Sequence, residues 1–110
     1  MSTNQPLYYV VSLITKYTSM QEVKETASET LAMHVMRSRD LHQKGKVLMA
    51  GAFLDKPGEP ISTMVILPTR EDAEAFVKDD PFVQKGMVSS WTIREWQNMF
   101  FQSNVVEKSV

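Results

Sequence analysis

The chain has no cysteine. That single absence excludes disulfides, thiolate metal ligands and cysteine nucleophiles. There is no apolar run of the ~18 residues that a membrane-spanning helix needs, so a membrane is not an expected partner. Basic residues do not cluster: Arg37/Arg39 and Lys44/Lys46 are too small to form a stripe, and the net charge is -1. Nucleic acid and anionic membranes are therefore poor partners. Glycine is scarce, at 4 residues. No glycine-rich phosphate loop occurs, which argues against a nucleotide cofactor. No His-Glu-x-x-His spacing occurs, so a metal is not expected. No Gly-x-Ser-x-Gly elbow surrounds a serine, which weakens any serine-hydrolase reading. Residues 1–6 are polar and uncharged, unlike a secretory leader. The expectation is a soluble cytoplasmic protein that works without cofactor or metal.

The 110 residues suit one domain, and a hydrophobic fraction of 43% is ordinary for a globular chain. Methionine is abundant, at 8 residues. Met33, Met36, Met49, Met64 and Met87 read as flexible core filling, with an adaptable lining for a flat organic ligand as the second reading. Trp91 and Trp96 read as core or interface anchors.

The pattern predicts six elements in one domain, residues 7–100, between a lead-in at 1–6 and a tail at 101–110. Leu7–Ile14 is β-rich and apolar on both alternating faces, so it is a strand buried on both sides. Ser19 opens a long helix to Lys44, with Glu22 three residues on completing a capping box. Its length suggests a kink or break near Thr26–Glu29. Gly45 ends it. Lys46–Leu54 is a second strand, Asp55–Pro60 a turn, and Ile61–Leu67 a third strand, forming a hairpin. Thr69 caps a second helix that Pro81 stops. Phe82–Gly86 reads as a loop and Met87–Trp96 as a fourth strand.

The order β-α-β-β-α-β specifies an α+β, ferredoxin-like fold: a four-stranded antiparallel sheet with two helices on one face. The opposite face is too apolar to leave in water. A second copy is its natural cover, which gives a homodimer, a dimeric α+β barrel.

Two ionisable residues interrupt the apolar helical stripes. Met20, Val23, Ala27, Leu31, His34, Ser38 and Leu41 recur at spacings of 3 or 4. Ala73, Phe76 and Val77 lead to Asp80 in the same way. A buried ionisable group is costly unless paired, so His34 and Asp80 are expected to meet. An imidazole ordinarily titrates near ~6.5 and can act as acid or base at neutral pH. Asp80 ends a helix, where the dipole disfavours a negative charge and an imidazolium would offset the cost. The plainer alternative is a core histidine bonded to backbone beside an ordinary Asp-Pro turn. His42 lies about 80° around the helix from His34, too far for a shared metal. Gly51, inside a strand, suggests a bulge, a close ligand approach or simple packing.

His34, then Gly45 within LHQKGKVLMAGAF, then REDAEAFVKDDPFVQKGMV and a last strand ending near Trp96 resemble the YCII-related domain. The resemblance covers about residues 7–97 and carries the pattern histidine, G-x-x-x-x-A-G and D-P-[FY]-x-x-x-G. It implies the ferredoxin-like fold, the dimeric barrel and a His–Asp site at His34 and Asp80. Family members often have Arg-Pro shortly before the histidine. Thr30-Leu31-Ala32-Met33 stands there instead, with Arg37 as a substitute anion binder. The expected substrate-binding residues are Arg37, Ser38, Tyr9, Met49, Gly51 and Phe82. One branch of the family is similar to a dehydrochlorinase of a chlorinated hydroxyhydroquinone. The expectation is thus a cofactor-free lyase or isomerase acting on a small hydroxylated ring, in aromatic catabolism. A small-molecule hydrolase using the same pair and a non-catalytic ligand-binding or accessory protein are the alternatives.

Overall fold

The structure, a computed structural model, describes residues 7–100. The expected lead-in and tail lie outside the described residues. The elements are β1 (Leu7–Thr15), α1 (Met20–Thr26), α2 (Ser28–Gln43), β2 (Met49–Ala52), β3 (Ser62–Leu67), α3 (Arg70–Asp79), α4 (Pro81–Gln84) and β4 (Val88–Gln97). The strands form one antiparallel sheet in the order β2-β3-β1-β4, the α+β ferredoxin-like arrangement. Among the described residues no helix is long and apolar enough to cross a membrane.

Strand alternation puts Val11 and Leu13 of β1 and Val65 and Leu67 of β3 on the helical side of the sheet. There they pack against Val47 and against Ala73, Phe76 and Val77 of α3. Tyr8, Val10, Ser12 and Ile14 point the other way, beside Met64 and Ile66 of β3, where no helix lies. The β1–β4 ladder shifts register at Ile14/Thr15. Beyond the shift, the Thr15 amide donates to Ile61 O at 2.9 Å and the Ile61 amide to Tyr17 O at 2.8 Å. These bonds hold Tyr17 at the end of the sheet.

The long helix breaks at Ala27, inside the expected segment. Thr26 Oγ1 donates to Glu22 O at 2.7 Å, a bond that competes with helix propagation, and α2 restarts without a side-chain cap. The capping box forms only in part. The Glu22 amide donates to Ser19 Oγ at 3.0 Å, but the Glu22 carboxylate accepts from the Thr18 amide at 2.8 Å rather than from Ser19. The second strand is shorter than the Lys46–Leu54 expected. The amides of Lys46 and Val47 both donate to Leu41 O, closing the end of α2 instead of a ladder.

Two further expectations are corrected. Phe82–Gly86 is not a plain loop, because Pro81–Gln84 is a helical turn: proline suits the first helical position and Asp80 caps it. Met33, Met36 and Met49 are exposed, not core, because the first two fall off the inward face of α2 and Met49 lies on the edge strand β2. Trp91 and Trp96 are half-exposed, and Trp96 lies against Tyr8 on the helix-free face.

Thr69 caps α3 through the Asp72 amide at 3.0 Å. Thr69→Ala is expected to lower unfolding stability by about 1 kcal/mol, with no change in the denaturant m-value. A urea titration measures both.

Candidate functional site

His34 and Asp80 meet. His34 Nδ1 lies 2.6 Å from Asp80 Oδ1. Asp80 is 1% exposed and the His34 side chain 28% exposed. The other carboxylate oxygen, Oδ2, accepts from the Phe82 amide at 3.0 Å and the Val83 amide at 3.2 Å. Asp80 therefore does more than end α3. It caps the start of α4, where the positive end of the turn favours its charge. The start of α4 therefore adds to what was expected at the end of α3, a dipole that disfavours the charge and an imidazole that offsets it. With Oδ2 fixed by two amides, Oδ1 is held towards α2. A carboxylate can only accept, so Nδ1 donates. Nε2 has no hydrogen-bond partner among the described residues. The His34 ring also packs on Phe82, with centroids 5.3 Å apart.

Beside the pair is a cavity of about 550 Å³ with a mostly apolar lining. It lies between α2, the short strand β2 and the end of β1. Of the expected site residues, His34, Asp80, Ser38, Met49, Gly51 and Phe82 line it. The ladder runs through Gly51 without a bulge, and a Cβ placed there would meet nothing within 4 Å. Neither backbone strain nor tight packing accounts for this glycine.

Arg37 and Tyr9 lie elsewhere. The Arg37 guanidinium donates to Ala75 O at 2.9 Å and Phe76 O at 3.2 Å, and lies over the Phe76 ring. Carbonyls near a helix C-terminus attract a cation. Arg37 thus clamps α2 to α3 one turn from His34 and does not offer an anion site in the cavity. Tyr9 sits near the far end of β1. Its hydroxyl donates to Glu95 Oε2 at 3.2 Å and its ring lies under Arg70.

Tyr17, Arg39 and His42 also line the cavity and were not singled out for substrate contact in the sequence. Tyr17 is buried and stacks edge-on against Phe82. Its hydroxyl has no hydrogen-bond partner among the described residues, and Tyr17 lines the cavity. The only sequence signal for Tyr17 is its place just beyond the strand.

No protein with a curated description matches the sequence significantly. Several solved structures share the fold. One is a 5-chloro-2-hydroxyhydroquinone dehydrochlorinase from Burkholderia phenoliruptrix, solved in complex with 2,5-dihydroxybenzoquinone. It has 17% identity and a TM-score of 0.57 over 80% of this chain and 92% of that one. Another is a candidate antibiotic biosynthesis monooxygenase from Nitrosomonas europaea, with 12% identity and a TM-score of 0.54 over 91% and 97% of the two chains. At these identities the likeness extends to the fold alone. The profile of the YCII-related domain matches residues 9–97, most of the sequence and every strand and helix that builds the cavity. The chain belongs to the YCII-related domain family.

Proposed function

We propose that the protein is a cofactor-free lyase or isomerase of small hydroxylated rings. His34 is the general acid–base and Asp80 its orienting partner. The observation that carries this reading is the two-sided placement of His34: Nδ1 is tied to a buried carboxylate, while the ring borders a mostly apolar cavity. Asp80 fixes the proton on Nδ1, so neutral His34 presents a basic Nε2 to a ligand. The partial exposure of His34 favours this over a sealed, structural histidine.

The chemistry balances without an oxidant. Nε2 takes a proton from a ring hydroxyl, and the ring becomes a dienone as that proton is returned to the carbon bearing a leaving group. Loss of a second hydroxyl proton then expels the leaving group with its bonding pair. For a chlorinated trihydroxybenzene the sum is loss of HCl and formation of a hydroxyquinone. The Burkholderia protein of similar fold acts on such a compound, which supports this substrate class. If no leaving group is present, the same proton relay is an isomerisation. The Tyr17 hydroxyl is available to donate to a ring oxygen.

The helix-free sheet face supports a homodimer. It carries Tyr8, Val10, Ile14, Met64, Ile66 and Trp96, too much apolar surface for a monomer to leave in water. Two such faces packed together form a dimeric barrel.

The central test is chloride release and quinone absorbance with chlorinated hydroxyhydroquinones. His34→Ala is expected to lower kcat about 10²–10⁴-fold, the usual contribution of a placed acid–base group. Unchanged turnover would refute the reading. Asp80→Asn is expected to be comparably damaging. Its amide nitrogen would face Nδ1, and a donor there moves the imidazole proton to Nε2. It should also lose about 1–3 kcal/mol of stability through the disturbed cap and bond. For the assembly, Met64→Lys should convert a dimer to a monomer in light scattering. A wild-type protein already monomeric at micromolar concentration would rule the dimer out.

A further inference from the structure

Helix α2 presents more than His34 to the cavity. Ser38 and His42 follow at four-residue spacing, and Arg39 lies beside them. His42 Nδ1 is 2.9 Å from Val47 O. A carbonyl only accepts, so Nδ1 donates and Nε2 is left for a ligand. Arg39 has no hydrogen bond or ion pair with any described residue. The adjacent Asp40 is paired with Lys44 at 3.0 Å and does not line the cavity. Among the described residues the one acid that does is Asp80, already engaged by His34 and two amides. Arg39 and His42 are exposed, whereas Asp80, Tyr17 and Phe82 are buried. The cavity therefore has a buried acid–base end and a cationic, uncompensated mouth.

Its size points the same way. An apolar cavity of ~150 Å³ accommodates benzene. The volume here, about 550 Å³, is several times larger. Arg39 and His42 stand five and eight residues beyond His34, which is about 8–12 Å along the helix axis.

We propose that the substrate is longer than one ring: a phenol bearing a carboxylate, held at the mouth by Arg39 while its hydroxyl meets His34. This rests on the acid–base reading of His34 and narrows its substrate class. An arginine–carboxylate pair is charge-assisted and directional, so it would set both affinity and the orientation of the ring.

A chain-length series measures this. The probes are 4-hydroxybenzoate through 5-(4-hydroxyphenyl)pentanoate and the matching primary amides, titrated calorimetrically into the full chain. The longer acids should bind about tenfold or more tightly than their amides, with little difference for the shortest pair. Arg39→Gln should abolish the acid–amide difference and leave amide binding unchanged. Because Arg39 is exposed, folding should be unaffected. His34→Gln should weaken acids and amides alike. Equal affinity for acid and amide at every length, or a difference that survives Arg39→Gln, would overturn the carboxylate assignment. If phenols still bind in a His34-dependent manner, the acid–base reading stands in that case. Failure of every probe to bind would overturn the carboxylate assignment, while the acid–base reading is decided by turnover of the hydroxyhydroquinones.

Discussion

The contact between His34 and Asp80 is the constraint on which the site depends. Asp80 is nearly sealed from water, and a sealed carboxylate is tolerable only if its lone pairs are filled. Two backbone amides fill one oxygen and His34 meets the other. The same carboxylate thus starts α4, stops α3 and pins α2. Arg37 reinforces the arrangement one turn away by gripping the carbonyls of Ala75 and Phe76. Two polar links therefore cross the seam between α2 and the α3–α4 corner. Together they fix how α2 is rotated, and so which of its side chains face the cavity.

That rotation explains what the sequence revealed and what it did not. The apolar stripes made His34 and Asp80 visible because each interrupts an otherwise buried run. The two-faced apolarity of Leu7–Ile14 and the element order were enough for the fold. The choice between Arg37 and Arg39 was not legible. With His34 at 0° on the helix, Arg37 falls near -60° and Arg39 near about 140°. Ser38, His42 and Val35 fall between about 40° and 100°, on the Arg39 side. His34 stands at the border, with α3 on one flank and the cavity on the other. Only the packed structure says which flank is which. Tyr17 was hidden for another reason: it belongs to no periodic element, and long-range bonds to Ile61 place it. The turn after Asp80 was legible in principle, since aspartate before proline is a good helix start as well as a good helix stop.

The cavity combines two regimes. Around His34 the walls are mostly apolar and the Asp80 carboxylate is buried. Towards Arg39 and His42 the lining is cationic and exposed. Helix α2 supplies four of the cavity's polar lining residues, at 34, 38, 39 and 42. The helix is at once a partner of the core and a wall of the cavity. Its restart at Ala27 lets α1 take a different direction and lay Met20 and Val23 along the wall.

The double use of Asp80 also bears on how such a site can change over time. His34 is partly exposed and caps nothing, so its exchange costs the fold one polar link. Asp80 cannot be exchanged as freely, because the corner of the fold is built on its side chain. Relatives of this chain should therefore keep the aspartate and vary the histidine more freely. The aspartate marks a corner of the fold, whatever stands opposite it on α2.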